Sequence, residues 1–304
     1  MNNKYEVALV VGNGFDLNLG LKTSYSDYLE SDIFRTFFSD ASANTLRWEL
    51  NEEYSRNKEK ELKWIDLEVF LKKFFGDERE RDNPRKEFED LVENISLYLQ
   101  SIDLKENDID VKSQSFKLLN SIKDRKFIIL NFNYTNSVFR ILSKLNVSEQ
   151  KISTNLIHVH GTLDENNIII GVDEKFKHKR VTSFLRKASN ESFINNDVNE
   201  IFENSLNIIF FGHSLGETDH SYFDDFLVNI SKERQKQKKG IFIFYHGSND
   251  WYNKTYEISL LTNDRFKKLM DYNKLLKFDT SKKTEFSFDA NFMVESTIKW
   301  QPLD

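Results

Sequence analysis

Four short segments of this 304-residue chain carry residue types that chemistry can use. The first is GNGFDLNLG, Gly12 to Gly20, directly after the apolar run YEVALVV. A glycine turn after a strand can bring backbone N–H groups against a phosphate and open a helix whose N-terminus favours an anion. A tight turn made only for packing uses glycine equally well. Gly12, Asn13, Gly14 and Gly20 are therefore candidate ligand-binding positions, and Asp16 either meets a hydroxyl of the ligand or caps the following helix. The spacing is not the common dinucleotide fingerprint, which wants glycine where Leu17 stands. The second segment is the pair His160-Gly161. Histidine is a base near neutral pH and suits activation of a hydroxyl or a water, while the glycine permits close approach of a ligand. The competing reading is a core histidine satisfied by the backbone. His158, two residues earlier, would share its face of a strand, but no third ligand is near, so no metal is expected.

The third segment is Asn131-Phe132-Asn133-Tyr134-Thr135, at the end of another apolar run. An asparagine such as Asn133 after a strand caps a helix or holds a turn. The fourth is Gly212-His213-Ser214-Leu215-Gly216, which fits the nucleophile elbow of α/β serine hydrolases. In chain order His246 could serve as its base, with Asp219, Asp224 or Asp225 as orienter. That reading leaves the N-terminal glycine turn and Asn133 without a role. Trp64, Asp66 and Glu68 lie in a helical stretch. There a charge is by default on the helix surface, and a contact to a ligand is the alternative.

The elements that must position these segments follow from hydrophobic spacing. YEVALVV (5–11), KFIILNF (126–132), NLIHVH (155–160), NIIIGV (167–172), LNIIFFG (206–212) and GIFIFYH (240–246) are short, nearly continuous apolar runs. Such runs, separated by polar or helical stretches, predict buried strands of a parallel sheet covered on both faces. From Ser26 to about Gln100 the apolar residues recur at helical spacing instead, as in DLEVFLKKFF and FEDLVENISLYLQ. Between these two lies GDERERDNPRK, read as a solvated loop. The expected architecture is thus one α/β domain over 1–304, a Rossmann-like sheet with a helical insertion over 31–120 between its first and second strands. QKQKK, 235–239, reads as a solvated basic turn, and the aromatic-rich KTEFSFDANF has no assigned place.

Composition narrows the classes. Lys and Arg number 43 against 49 Asp and Glu, a net charge of −6, which argues against a dedicated nucleic-acid binder. There is no cysteine, which removes disulfides, thiolate zinc sites and a cysteine nucleophile together. No apolar run approaches the ~18 residues of a membrane helix, and the N-terminus lacks the features of a signal peptide. A cytoplasmic protein is expected. An oligomer or an operon partner is left open.

Read in order, the four segments resemble the sirtuins. Gly12-Asn13-Gly14 with Gly20-Leu21 has the spacing of the sirtuin NAD loop. Asn133 falls on an asparagine that sirtuins carry at the next strand end, His160-Gly161 on their histidine-glycine pair, and Gly212-His213-Ser214-Leu215 on their glycine-threonine-serine-leucine turn. The wording is closer still to the AbiH family of abortive phage-infection proteins, through GNGFDLNLGLKTSYSDY, WIDLE, NFNYT, HVHG and GHSLGETDHSYF, over about Val7 to Phe223. The AbiH resemblance implies phage exclusion. The sirtuin resemblance implies NAD or a related nucleotide as ligand or substrate, Gly12, Asn13, Gly14, Asp16, Gly20, Gly212 and Ser214 as its binding residues, and Asn133 and His160 as catalytic. Asn133 would orient the nicotinamide ribose or a water at its C1′. NAD hydrolysis is the activity implied, with a non-catalytic nucleotide sensor as the alternative. Three departures stand out. The four-cysteine zinc module of sirtuins is missing, Thr135 stands where they have an aspartate, and Asn13 replaces a small alanine.

Overall fold

The computed structural model describes residues 4–38, 45–57, 62, 64–76, 82–102, 109–172, 180–193, 197–235 and 237–282. The chain divides into two compact units, one formed by Met1–Gly20, Leu104–Val159 and Asn196–Asp304, the other by Leu21–Asp103 and His160–Asn195.

The first unit is built on a six-stranded sheet: β1 (Tyr5–Val11), β2 (Phe127–Asn131), β3 (Leu156–His158), β4 (Ser205–Phe211), β5 (Gly240–Tyr245) and β6 (Lys274–Asp279). Every pairing is parallel and the spatial order is β3-β2-β1-β4-β5-β6. This is the Rossmann order, in which the direction of winding reverses between the first and fourth strands. Alternation along the strands sends Ala8, Val10, Ile128, Leu130, Ile208, Phe210, Ile241 and Ile243 into one core, where Phe202, Phe226 and Ile258 from flanking helices and Phe223 from a turn meet them. Val7, Leu9, Val11, Ile129, Ile209 and Phe211, the alternate residues, are buried as well. Both faces are therefore covered, as the unbroken apolar runs require.

Three local expectations change. NIIIGV is no sheet strand. It belongs to the second unit, where Ile168, Ile169 and Ile170 are buried and a single bridge joins Val172 to Arg186. A short apolar run signals burial, and here burial comes without sheet pairing. Lys239 of the basic turn is buried rather than solvated. Its ammonium donates to the carbonyls of Phe202 (3.3 Å), Glu203 (2.8 Å) and Ser205 (2.5 Å), and burial pulls its pKa down to about 8. In the loop before the second long helix, Asn83 and Pro84 form a helix start: Pro84 is in the first turn and the Asn83 side chain accepts the Lys86 N–H at 3.3 Å.

The second unit is helical through Tyr25–Glu30, Asp32–Phe38, Leu46–Arg56, Trp64–Gly76 and Pro84–Ser101. An aromatic cluster holds these helices, with the Tyr28 ring 5.4 Å from that of Tyr98 and 5.2 Å from that of Phe34. The hydroxyl of Tyr28 donates to Asn94 at 2.9 Å, so the buried polar end is satisfied. The Gln114–Ile122 helix, within the range read as an insertion, belongs to the first unit. KTEFSFDANF lies outside the described residues.

Candidate functional site

β1 and β4 are hydrogen-bonded neighbours, and the turns leaving their carboxyl ends interlock. Gly12 N–H donates to the Phe211 carbonyl (2.9 Å), Gly14 N–H to that of Gly212 (3.0 Å) and Phe15 N–H to that of Gly12 (2.9 Å). A Cβ on Gly12 would lie 2.5 Å from the Cα of His213, one on Gly14 2.7 Å from the Cα of Gly212, and one on Gly212 2.3 Å from the Phe15 nitrogen. Gly212 also has a φ of +73°. Close backbone approach between the two turns accounts for these three glycines. It also engages the amides of Gly12, Gly14 and Phe15, so those three amides are not the cradle for a phosphate. Gly20 is different: exposed, with φ +83°, it closes the short Asn13–Asn18 helix, and its N–H donates to the Leu17 carbonyl at 3.0 Å. Asn13 is half-buried.

The turn after β2 is tied to this pair through side chains. Asn133 is buried and its amide Nδ2 donates to the Gly12 carbonyl at 3.1 Å. Asn131, fully buried, accepts the Asn133 N–H at 3.1 Å, and its Nδ2 donates to the Thr135 carbonyl at 3.4 Å and faces His158 Nδ1 at 3.3 Å. Thr135 and Ser137 donate their hydroxyl protons to Asp16, at 2.6 Å on Oδ2 and 2.5 Å on Oδ1. Asp16 is completely buried. Burial pushes its pKa up to about 6, against the opposing pull of hydrogen bonds from Ser137, Thr135 and Asn133. The residue thus neither caps its helix by its side chain nor lies open to a ligand. It is a carboxylate clamp between the first and second turns. Thr135 thus stands beside a carboxylate, the one that Asp16 supplies.

Beyond Gly212, His213 is buried against Phe132, the ring centroids 4.4 Å apart. Its Nδ1 accepts the Leu215 N–H at 3.0 Å, which leaves the proton on Nε2, 3.4 Å from Asp219. Lys254, from the Gly247–Leu261 helix, is buried and donates to the His213 carbonyl at 2.5 Å. Ser214 is exposed, and its Oγ accepts the Gly216 N–H at 3.3 Å. Positive φ falls on Gly212 and Leu215, not on Ser214, and a 3-10 turn follows rather than a helix directly after the serine. His246 is exposed, with Nδ1 3.2 Å from Thr280 Oγ1. Among the described residues no hydrogen bond joins Ser214 to a histidine, so the elbow geometry is not assembled.

His160 belongs to the second unit, where it is buried and its carbonyl accepts the Ile169 N–H at 2.8 Å. Gly161 has φ +74° in the turn that follows, and Thr162 N–H donates to Asn167 Oδ1 at 2.7 Å. In the same unit Trp64 donates its indole N–H to the Thr23 carbonyl at 2.8 Å and Asp66 is exposed. Glu68 is not on the surface: it forms a buried ion pair with Lys187 at 2.9 Å. Among the described residues no group of three or more His, Cys, Asp or Glu is placed to hold a metal, and no helix is long and apolar enough to cross a membrane.

Sequence reasoning passed over Asn131, the His213–Asp219 pair and Lys254. Asn131 had a signal, since a polar residue that ends a buried strand must find partners. Lys254 had none, because a lysine in a polar helix reads as solvated.

A six-stranded parallel sheet in this order, with polar side chains at its carboxyl edge, defines a Rossmann-like α/β protein of the kind that places its ligands at the reversal point. The chain matches the family model described as Bacteriophage abortive infection AbiH over residues 8–116 and 75–245. It belongs to the AbiH family, and that membership supports a role in phage abortive infection. No curated protein matches the chain.

Proposed function

We propose that this protein is an antiphage effector that binds NAD or a related nucleotide at the carboxyl ends of β1, β2 and β4. One observation carries the reading: the turns of three segments with sirtuin-like wording, Gly12–Gly20, Asn131–Thr135 and Gly212–Leu215, meet where the strand order reverses. Asn13, Thr135 and Ser214 are among the half-exposed or exposed polar members of those turns, and in this reading they supply the ligand contacts. Asp16, Asn131 and Asn133 hold the turns in register. Because the glycine amides are engaged, ribose hydroxyls and the carboxamide are better matched to this edge than a phosphate cradle.

Hydrolysis is the activity we assign to the site. Water adds at the nicotinamide ribose C1′, the C1′–N bond breaks, nicotinamide leaves neutral with the bonding electrons, and one proton of the water is released to solvent. Such a reaction needs a positioned water and exclusion of bulk solvent more than covalent chemistry. Asn133 is the catalytic residue of this edge in this reading. The engagement of the Asn133 amide with the Gly12 carbonyl favours a second reading, a non-catalytic nucleotide sensor in which Asn133 only shapes the pocket. Chromatography of NAD incubated with the purified protein separates the two. Nicotinamide and ADP-ribose released in step, and lost in Asn133→Ala, support hydrolysis. Intact NAD, together with a raised melting temperature, supports the sensor. Intact NAD and an unchanged melting temperature refute both.

A further inference from the structure

We propose that Gln114 is a ligand-reading amide of the carboxyl edge, one that takes a planar amino group of the bound nucleotide. The Gln114–Ile122 helix leads into the amino end of β2, so its own first turn lies at the carboxyl edge. The two neighbours of Gln114 fix its place there. Ser113 caps the helix, its hydroxyl accepting the Phe116 N–H at 3.2 Å. Ser115, fully buried, is tied to the short Asn13–Asn18 helix of the first turn. Its N–H donates to Asn18 Oδ1 at 2.9 Å and its hydroxyl to the Phe15 carbonyl at 2.9 Å. Gln114 stands between them, in the same compact unit.

Gln114 differs from both serines. It is only 9% exposed, and its Oε1 is buried with no hydrogen-bond partner among the described residues. An unsatisfied buried oxygen destabilises a fold relative to an apolar side chain of the same shape, so stability does not explain a glutamine at this position. A primary amide offers an acceptor and a donor side by side. Its match is an amino group next to an acceptor. On the nucleotide reading above, on which this role rests, two parts of NAD have that pattern: the carboxamide of nicotinamide and the amino edge of adenine. Oε1 accepts from the amino group, and Nε2 donates to the oxygen or ring nitrogen beside it. A phosphate has no N–H to give and does not satisfy this oxygen.

Gln114→Met and Gln114→Leu replace the amide with apolar groups of similar bulk. Thermal unfolding of the ligand-free full chain should show a melting temperature equal to or above that of wild type in at least one of them. A lower value in both means that the oxygen is satisfied within the folded protein, and overturns the proposal. Titration calorimetry tests the ligand role. NAD should bind roughly tenfold more weakly to the variants, the loss of one buried hydrogen bond. ADP-ribose keeps the adenine, and nicotinamide mononucleotide keeps the carboxamide. A tenfold loss confined to the first assigns the adenine edge, and one confined to the second assigns the carboxamide. Equal losses for both mark a general distortion of the edge and overturn the proposal. Unchanged affinity for all three overturns it while the nucleotide reading stands. Binding of none of them by wild type overturns the nucleotide reading and this role with it.

Discussion

Asp16→Asn should make the protein more stable at neutral pH and less able to protect against phage. The Asp16 carboxyl is completely buried, and its pKa rises from the ordinary 3.8 to about 6 through burial, despite three hydrogen bonds that favour the charged form. A carboxyl whose folded pKa lies above its unfolded value contributes stability that is complete below the unfolded value and is lost as pH climbs through the folded value. For Asp16 that window runs from about pH 4 to about pH 6. The interval corresponds to roughly 3 kcal/mol at pH 7, the cost of keeping the charge in the fold. Asparagine has the same shape and no charge, and the Thr135 and Ser137 hydroxyls can turn to suit it, since each both donates and accepts. Urea denaturation of both proteins at several pH values measures the difference. The gain of the variant over wild type should be near zero at pH 4, open between pH 4 and 6, and level off at up to about 3 kcal/mol by pH 7. Phage protection should fall even so, because the clamp between the first and second turns then lacks its charge. Parallel stability curves, or a variant less stable than wild type at pH 7, would refute the reasoning.

Other expectations concern packing and the rival chemistry. Gly212→Ala should destabilise the first unit by about 1–3 kcal/mol from its left-handed backbone alone, with more from the overlap onto Phe15; thermal unfolding should show it, and a neutral effect would contradict the interlocked turns. Glu68→Leu should cost about 3–5 kcal/mol by leaving the Lys187 ammonium buried without its carboxylate, and Glu68→Leu with Lys187→Met should recover much of the loss in a double-mutant cycle. Ser214→Ala should leave stability within about 0.5 kcal/mol of wild type, since the side chain is exposed. A fluorophosphonate probe should leave Ser214 unlabelled, and stoichiometric labelling would restore the serine-hydrolase reading.

Much of the sheet was legible because its strands are buried on both faces. YEVALVV, FIILN, SLNIIFF and GIFIFY advertise themselves as unbroken apolar runs. The strand KLLKFD did not, because β6 is at the sheet edge, its residues are half-buried or exposed, and lysines at 274 and 277 interrupt the apolar pattern. NIIIGV failed in the opposite direction, with burial but no pairing. At the site, the segments were visible as strand-end polar motifs, while their connections were not. Asp16 finds Thr135 and Ser137 across 119 and 121 positions of chain, a separation no local pattern reports. The same holds for Glu68 and Lys187, and for Lys239, whose three carbonyl partners exist only once the Val198–Glu203 helix has ended beside it. Buried charges in this chain are conspicuous only after folding supplies their partners.

A crystal structure of the full chain grown with ADP-ribose tests the central claim most directly. The account predicts the ribose that would carry nicotinamide over the carboxyl ends of β1 and β2, with polar contacts from Asn13, Thr135 or Ser214. Ligand density elsewhere on the molecule, or a carboxyl edge still bare at saturating ligand, would contradict it.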